Sequence, residues 1–184
     1  SRIIGRRFKI VHVRFGPEII EVTTFRGRHA NTDGDDDEAS ANNQHSARSE
    51  SGMLLRDNVY GSLEEDAERR DFTVNALYYT SENFSVFDFA NGVDDLEHRV
   101  IRIIGDAETR YREDPVRMLR AVRFAAKLNF AIEPHTAAPI FKLAGMLRDL
   151  PAARMFDEIL KLLMAGSGEA TFALMLEFGL FEVL

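Results

Sequence analysis

Residues 69–75 bring together side chains that could bind a nucleotide. The segment reads RRDFTVN, so two adjacent arginines precede an aspartate, Asp71, and an asparagine, Asn75, follows four residues later. A guanidinium can bind two phosphate oxygens at once, and a carboxylate accepts a hydrogen bond from a sugar hydroxyl. In isolation such a segment is more often a helix surface with one ion pair, and the remaining sequence must decide between these interpretations.

A helix is the element predicted to position this segment. Ser62 and Glu65 have the spacing of a capping box, and Glu64, Glu65 and Asp66 place acidic charge in the first turn. The helix is expected to run from Ser62 through RRDFTVN to about Tyr78.

A β-hairpin is predicted near the start of the chain. Residues 8–15 and 18–26 are rich in β-branched and aromatic side chains, and Gly16-Pro17 between them supplies a turn. The second strand carries a carboxylate, Glu21, among apolar neighbours. Glu21 is either an edge charge that protects the strand from aggregation or a functional group, and the strand pattern leaves both open.

Residues 29–51 contain almost no large apolar side chain. They cannot bury enough surface to offset the entropy of ordering, so this stretch is predicted to be a flexible excursion. Its acidic run, residues 33–38, includes Asp33-Gly34-Asp35 but lacks the closing glutamate of a calcium loop. A solvated acidic loop is therefore the preferred interpretation over a metal site.

The second half of the chain changes from strands to helices. Residues 84–89 and 100–104 have strand composition and flank a turn at residues 90–92. Beyond Gly105, apolar residues recur at helical spacing, with Asp114-Pro115 as N-cap and first helical residue. Further helices are predicted at residues 136–147, 151–165 and 168–178, with Gly166 and Gly179 as C-terminal caps. The pattern predicts an α+β part, residues 1–105, and a helical part, residues 106–184.

Composition excludes several classes of protein. The 184 residues contain no cysteine, so neither disulfides nor a thiolate zinc site can form. No apolar run approaches the roughly 20 residues that span a bilayer, and the first residues lack a signal peptide, so a cytoplasmic protein is expected. The net charge is −7, but basic residues cluster, which allows a locally positive surface. In the helical part these are Arg110, Arg112, Arg117, Arg120, Arg123 and Lys127.

Three further patterns accompany RRDFTVN along the chain. They are Asp88-Phe89-Ala90-Asn91-Gly92-Val93-Asp94-Asp95-Leu96 followed by Ile101-Arg102, then residues 112–125, REDPVRMLRAVRFA, and finally residues 154–163, RMFDEILKLL. Each alone has an ordinary structural explanation: a turn, a helix N-terminus and an (i, i+4) pair. In order and spacing, the four patterns together resemble the template-independent, class II branch of the nucleotidyltransferase superfamily, which contains bacterial poly(A) polymerases and CCA-adding tRNA nucleotidyltransferases.

The resemblance implies a fold and a reaction. Residues 1–105 are expected to be the C-terminal part of a nucleotidyltransferase head with a flexible insert, and residues 106–184 the start of a helical neck that binds RNA. The implied reaction transfers AMP from ATP to RNA 3′ ends with Mg²⁺. Residues 110–121 and the polar insert resemble the poly(A) polymerases more than the CCA-adding enzymes. The CCA-adding function remains an alternative, and a non-catalytic RNA-binding module is an alternative of another class.

The resemblance also implies roles for individual residues. Asp71 is expected to accept a hydrogen bond from the ribose hydroxyl, and Asn75 to bond a sugar or phosphate oxygen or the nearby backbone. Asp114 and Arg117, one helical turn apart, are expected to read the base. The other members of the expected nucleotide site are arginines: Arg69 and Arg70 at the triphosphate, Arg70 also as a support for Asp71, and Arg120 and Arg123 steadying the base-reading pair or contacting phosphate.

The metal site is a separate expectation. In the family a pair of aspartates holds magnesium, and no D-x-D pattern stands in a predicted strand of this chain. The resemblance places that pair before Ser1, so the chain is expected to be a piece of a longer protein and to be inactive alone. Glu21 is the candidate for a third carboxylate near the metal, beside its interpretation as an edge charge.

Overall fold

The structure is a computed structural model that describes residues 1–4, 10–27, 46–48, 54–57 and 60–184. Its contacts separate the chain into two compact units, Ser1–Arg69 and Arg70–Leu184. The predicted flexible segment, residues 29–51, lies outside the described residues apart from a strand at Ser46–Arg48. These units describe how residues pack together and do not test where the head and neck domains divide. The predicted domain boundary near residue 105 therefore stays a prediction.

Strands make up most of the described part of the first unit. β1 (Arg2–Ile4), β2 (Ile10–Phe15) and β3 (Glu18–Val22) form an antiparallel sheet in that order, and β4 (Ser46–Arg48) pairs with β5 (Leu54–Asp57). Phe15 faces Glu18 across the turn, so the predicted hairpin is confirmed. Gly16 in that turn has a φ of 60°, in the left-handed region that glycine reaches without strain.

The first unit ends with a short helix, α1 (Leu63–Arg69). Its predicted capping box is confirmed: Ser62 N donates to Glu65 Oε2 over 2.6 Å, and Glu65 N donates to Ser62 Oγ over 3.2 Å. The prediction that this helix continues to about Tyr78 is wrong, because α1 ends at Arg69. The RRDFTVN segment therefore leaves the helix after its first arginine.

Burial of Phe72 explains the early end of α1. Phe72 is extended, with φ −124° and ψ 149°, and it is 0% exposed. On either side of it the backbone pairs with a later segment: Ile104 N donates to Asp71 O over 2.9 Å, and Thr73 N donates to Arg102 O over 3.0 Å. A helical backbone would lose both hydrogen bonds and move the ring out of the core, so packing overrides the local helical preference.

The chain then forms a 3-10 turn at Thr73–Asn75, a hairpin of β6 (Leu77–Thr80) and β7 (Ser85–Asp88), and a short helix, α2 (Gly92–Glu97). The sequence predicted only a turn where α2 begins. The Asp88 carboxylate accepts hydrogen bonds of 2.9 Å from Gly92 N and from Val93 N. It thereby satisfies backbone donors at the N-terminus of α2, which would otherwise lack a partner within the helix.

The last predicted strand is shorter than expected. β8 covers Val100–Ile101 instead of residues 100–104, and it pairs in parallel with β9 (Ala131–Ile132), which the sequence did not predict. Ile103 leaves this pairing and forms an isolated bridge with Phe72. Residues 100–104 therefore connect the RRDFTVN segment with the helices that follow.

The rest of the second unit consists mainly of α3 (Ala107–Glu113), α4 (Val116–Leu128), α5 (Pro134–Leu143), α6 (Ala152–Leu163) and α7 (Gly168–Glu177). Of these, α4 is central, since it packs against α3, α6 and α7 and its Met118, Leu119 and Val122 are fully buried. Pro115 stands at the N-cap and not at the predicted first helical position, and α3 was not separately predicted. The predicted cap Gly179 is confirmed, since it follows the C-cap Phe178 of α7 with a φ of 65°. The prediction for Gly166 is wrong, because α6 ends at Leu163 with Met164 as its C-cap.

The architecture is α+β, as predicted. Antiparallel strands dominate up to Asp88 and helices dominate after Ile101, with the short parallel pair β8–β9 joining the two parts. Among the residues that the structure describes, no helix is both long enough and apolar enough to cross a membrane.

Candidate functional site

Asp71 is held through both of its carboxylate oxygens. Oδ1 accepts hydrogen bonds from Phe72 N over 2.9 Å and from Asn75 Nδ2 over 3.1 Å. Oδ2 accepts from Nε of Arg120 on α4 over 2.5 Å, and the Asp71 side chain is 11% exposed. The carboxylate therefore has a fixed orientation at the junction between the RRDFTVN segment and α4.

Asp71 keeps its negative charge in this environment. Burial on its own would raise the pKa of the carboxyl group, but the Arg120 charge and the hydrogen bonds from Asn75, Arg120 and Phe72 N outweigh burial and hold the pKa below the ordinary 3.8. At neutral pH the group is therefore ionised and acts only as a hydrogen-bond acceptor. This state suits a ligand that donates, such as a hydroxyl group.

Asn75 reaches Asp71 by a different backbone from the predicted one. The sequence placed the two residues on one face of a helix, whereas the structure has an extended Phe72 followed by the 3-10 turn. Asn75 N donates to Phe72 O over 2.9 Å, and this turn brings the amide side chain back to Asp71. The predicted proximity is thus present although the predicted helix is not.

The Arg120 guanidinium makes a cation–π contact with an aromatic ring on its own helix. Its guanidinium carbon lies 5.2 Å from the centre of the Phe124 ring, and that of Arg123 lies 4.7 Å from the same ring. The Phe124 ring also meets Phe72 edge to face, with centroids 5.8 Å apart and an interplanar angle of 82°. One ring therefore contacts both the arginine that binds Asp71 and the residue that follows Asp71.

Arg123 is more enclosed than a surface arginine. Burial and the nearby Arg120 charge lower the pKa of Arg123 below its ordinary value, while the carboxylates of Glu158 and Asp71 act in the opposite direction. Arg123 therefore belongs to the same charged cluster as Asp71 and Arg120, and Glu158 of α6 also contributes to it.

The two adjacent arginines of RRDFTVN have different surroundings. Arg69 belongs to the first unit, where Nη1 lies 3.6 Å from Oδ1 of Asp66 on α1. Arg70 is exposed, and its guanidinium carbon lies 5.7 Å from the centre of the Tyr78 ring. The Arg70 carbonyl accepts a hydrogen bond of 2.6 Å from Arg110 Nη2. The backbone at Arg70 is thus anchored to α3, whereas its side chain is at the surface.

Asp114 and Arg117 stand at the start of α4 but bind other residues. The Asp114 carboxylate accepts a hydrogen bond of 2.7 Å from Nη2 of Arg154 on α6. Arg117 Nη1 donates to the Arg110 carbonyl over 2.7 Å and to Glu113 Oε2 over 3.2 Å. The prediction that both residues share one helix face is wrong, because Asp114 is the extended C-cap of α3 and only Arg117 lies in α4. The two residues are still close, since Arg117 N donates to Asp114 O over 3.0 Å, and each side chain is oriented by a partner outside the pair.

A polar network supports the RRDFTVN segment from behind. Thr73 Oγ1 donates to Asp95 Oδ2 over 2.7 Å, and Arg102 Nε lies 3.1 Å from both oxygens of Asp95, which is 3% exposed. Arg102 also lies 3.6 Å from Glu133, which accepts from the backbone N–H of Thr136 at the start of α5. Through this network, Thr73 is connected to α2, to Arg102 after β8 and to the start of α5.

Glu21 lies on β3 opposite His12 of β2. Its Oε1 is 3.1 Å from His12 Nε2, and its side chain is 63% exposed. Within the described ranges, no group of three His, Asp or Glu side chains is close enough together to hold a metal ion. A metal-binding role for Glu21 stays a prediction.

Sequence reasoning missed two residues that shape the site. Phe124 was counted only as part of the third pattern, and Arg110 only as part of a basic cluster. The signal for Phe124 was available, since Arg120 and Phe124 have the (i, i+4) spacing that brings side chains together on a helix. No local signal pointed to the contact between Arg110 and the Arg70 carbonyl, because the two residues lie 40 positions apart.

Comparison with known proteins finds two matching family models. Residues 1–102 match the family described as "Poly A polymerase head domain". Residues 129–184 match the family described as "Probable RNA and SrmB- binding site of polymerase A". The first match covers more than half of the 184 residues.

Curated relatives named Poly(A) polymerase I align with the whole chain. The relative from Salmonella typhimurium is 57% identical over 183 residues, which are 100% of this chain and 38% of the relative. The relative from Haemophilus influenzae is 50% identical over 183 residues, which are 100% of this chain and 39% of the relative. A CCA-adding enzyme from Levilactobacillus brevis is 50% identical over 102 residues, 55% of this chain and 25% of that enzyme. The chain thus spans well under half the length of these relatives.

Solved structures of related enzymes share the fold. The Bacillus stearothermophilus CCA-adding enzyme in complex with CTP superposes with a TM-score of 0.73 at 33% identity, covering 96% of this chain and 38% of that one. A tRNA nucleotidyltransferase complexed with a primer tRNA and an incoming ATP analog superposes with a TM-score of 0.74 at 26% identity, covering 98% of this chain and 46% of that one.

Proposed function

The chain belongs to the family of the poly A polymerase head domain, and from this membership we propose that the protein transfers AMP from ATP to RNA 3′ ends. In this reaction a bond forms between the RNA 3′ oxygen and the α-phosphorus of ATP, and pyrophosphate leaves. One observation carries the choice of reaction: relatives named Poly(A) polymerase I align over 100% of the chain, whereas the Levilactobacillus brevis CCA-adding enzyme aligns over 55%.

Asp71 is the residue that we assign to ribose recognition. An ionised carboxylate offers about four acceptor positions. Phe72 N, Asn75 and Arg120 donate to three of them, which leaves one for a ribose hydroxyl. Because both oxygens are already held, the acceptor is oriented before the nucleotide arrives, and little entropy is lost when the hydroxyl binds.

Asp114 and Arg117 are the residues that we assign to base recognition. They offer an acceptor and a donor at the start of α4, the same helix that carries Arg120 toward Asp71. A base that binds there must replace or share the contacts made by Arg154 and Glu113. We assign the triphosphate to Arg70 and Arg123, with Asn75 supporting Asp71. The expected role of Arg69, which belongs to the first unit, stays a prediction from the sequence.

We propose magnesium as the ion of this reaction, since a bound metal would neutralise the charge that develops on the transferred phosphate. The resemblance places the metal-binding aspartates before Ser1 and leaves Glu21 as the candidate carboxylate within the chain, so no reaction step is derived through the ion. For the same reason, we expect the 184-residue chain to show no measurable adenylation by itself. We propose the cytoplasm as the site of action and RNA processing as the biological role.

The full-length protein is the material for testing this proposal. Purified protein is incubated with Mg²⁺, a single-stranded RNA primer and either ATP or dATP. We expect Asp71→Ala to raise the use of dATP relative to ATP by about 10- to 100-fold, the loss expected for one hydrogen bond to a charged group. Asp157→Ala, which changes an exposed aspartate on α6, is the matched control. An unchanged dATP/ATP ratio in the Asp71 variant, with a normal thermal transition, would remove the ribose role.

The CCA-adding reaction is the second candidate, because the related solved structures include CCA-adding enzymes, with TM-scores of 0.73, 0.60 and 0.61. Incorporation of CTP onto a trimmed tRNA by the full-length protein would favour it over AMP transfer. The match of residues 129–184 to a probable RNA-binding site also supports a non-catalytic RNA-binding module. Salt-dependent RNA binding without any nucleotide binding would favour that third possibility.

A further inference from the structure

The Phe124 ring occupies a position between two parts of the ribose-binding group. On one side it carries the Arg120 guanidinium at 5.2 Å, and Arg120 donates to Asp71 Oδ2. On another side it packs edge to face against Phe72, whose N–H donates to Asp71 Oδ1. Both oxygens of Asp71 are therefore bound by residues that contact the same ring.

This arrangement limits how Arg120 can move. An arginine side chain has several rotatable bonds, and only a few of its rotamers place Nε against Asp71. The ring face of Phe124 attracts the guanidinium, and the guanidinium of Arg123 lies 4.7 Å from the same ring centre. Without the ring, the Arg120 guanidinium would still be long enough to reach Asp71, but nothing on α4 would fix its orientation relative to the carboxylate.

We propose that Phe124 is a positioning residue for ribose selection: its ring orients Arg120 so that Asp71 presents one oriented acceptor to the ribose hydroxyl. This inference rests on the proposed ribose role of Asp71. Phe124 itself contacts no substrate. Its effect reaches the nucleotide through Arg120, which makes the effect specific to the sugar and separate from the choice of base, since Arg117 is held by Arg110 and Glu113 instead.

The test compares Phe124→Leu with Phe124→Tyr in the full-length protein. Leucine keeps an apolar side chain but removes the ring face, and tyrosine keeps the ring. We expect Phe124→Leu to raise the kcat/KM ratio of dATP to ATP by about 3- to 10-fold, the size of one lost cation–π contact. Phe124→Tyr should keep the ratio of the unmodified protein, and the CTP/ATP ratio should stay constant in both variants.

Phe172→Leu is the matched control for loss of an aromatic pair. Phe172 on α7 meets Phe181 edge to face, with centroids 4.7 Å apart. Neither residue takes part in the described hydrogen bonds of Asp71. We expect Phe172→Leu to change thermal stability without changing the dATP/ATP ratio. A rise in the ratio equal to that of Phe124→Leu would attribute the effect to general loosening and overturn the proposal.

Arg120→Lys tests the same contact from its other member and serves if Phe124→Leu does not fold. Lysine keeps the charge but has no planar group to lie on the ring, so the dATP/ATP ratio should again rise. In the double variant the two effects should not add, because the ring acts through Arg120. Additive effects, or no change in either single variant while Asp71→Ala changes the ratio, would overturn the role of Phe124. No change in Asp71→Ala would instead overturn the ribose role from which the inference starts.

Discussion

Two aspartate–arginine combinations border α4, and they are built in opposite ways. In the Asp71 group, which consists of Asp71, Asn75 and Arg120, the aspartate and the arginine bind each other across 49 positions of sequence. In the Asp114 group, which consists of Asp114 and Arg117, the two residues lie three positions apart where α3 ends and α4 begins, and they bind Arg154 and Glu113 instead of each other.

The difference bears on how each group can recognise a ligand. The members of the Asp71 group bind one another and Asp71 is enclosed, so we expect the group to present a fixed acceptor that disfavours ligands without a matching donor. In the Asp114 group, the contact of Asp114 with Arg154 is partly exposed, with side chains 24% and 44% accessible. Such contacts are weak and exchangeable. We therefore expect strict selection of the sugar and more adjustable selection of the base.

The largest effect is expected from Gly92→Ala, which should disturb the Asp71 group and leave the Asp114 group in place. A Cβ on Gly92 would lie 2.3 Å from the Thr73 carbonyl oxygen, so the backbone next to Asp71 must move. We expect a loss of about 3 kcal/mol in the free energy of unfolding. In thermal unfolding of the chain this corresponds to a decrease in Tm of about 6–12 °C.

Gly145→Ala is the control for Gly92→Ala, because a Cβ at Gly145 would meet nothing within 4 Å. Its Tm should stay close to that of the unmodified chain. Equal transitions for the two variants would mean that Gly92 does not pack against Thr73 as described.

The next largest effect is expected from Asp71→Asn, through its dependence on pH. Because the folded-state pKa of Asp71 is lowered, its ionised form stabilises the fold at pH values above the unfolded-state value, and this contribution is lost as pH falls through the folded-state pKa, below 3.8. We expect the variant to lose about 2 kcal/mol at neutral pH. The difference should shrink as pH falls below 3.8, as measured by urea unfolding at a series of pH values.

Asp157→Asn, on the exposed face of α6, serves as the control for the pH experiment. Its unfolding free energy should follow that of the unmodified chain at each pH. A difference between Asp71→Asn and the unmodified chain that stays constant with pH would show that the charge of Asp71 does not stabilise the fold.

Arg117→Ala sharpens the comparison from the side of the base. In the full-length protein it should reduce the preference for ATP over CTP by about tenfold, within the 1–3 kcal/mol of one well-placed base contact. Its dATP/ATP ratio should stay unchanged, because Arg117 does not take part in the described contacts of Asp71. Arg117→Lys separates the loss of the planar donor from the loss of charge. An unchanged ATP/CTP preference would count against the assignment of the base.

Local sequence signals predicted the elements that short-range contacts determine. The hairpin of β2 and β3, the capping box of Ser62 and Glu65, and the glycine at Gly179 that ends α7 depend on residues close together in sequence. The helix predicted through RRDFTVN failed because Phe72 is buried against a segment about 30 residues later, and helical spacing contains no information about that contact.

The candidate site shows the same limit at the level of side chains. The four sequence patterns identified Asp71, Asn75, Asp114 and Arg117, but not the partner of each residue. Arg120 could be selected as a basic residue on a helix face, yet its pairing with Asp71 depends on the tertiary fold. Arg154 and Glu158 have the spacing of an ion pair, whereas the structure pairs them with Asp114 and Lys161. Spacing predicts which residues are near one another along an element, and tertiary packing decides their partners.

The smallest effect is expected from Arg154→Ala, which removes the partner of Asp114. The two side chains are partly exposed, so their ion pair should contribute less than about 1 kcal/mol to stability, and salt should screen part of that contribution. We expect a small decrease in Tm at low ionic strength that disappears in concentrated salt, and a decrease in ATP/CTP preference of about twofold, because Asp114 loses the contact that orients it. Arg148→Ala, at an exposed position before α6, is the control. If Arg154→Ala reduced the ATP/CTP preference as much as Arg117→Ala, Arg154 would be a base-reading residue itself, and the Asp114 group would be as tightly built as the Asp71 group.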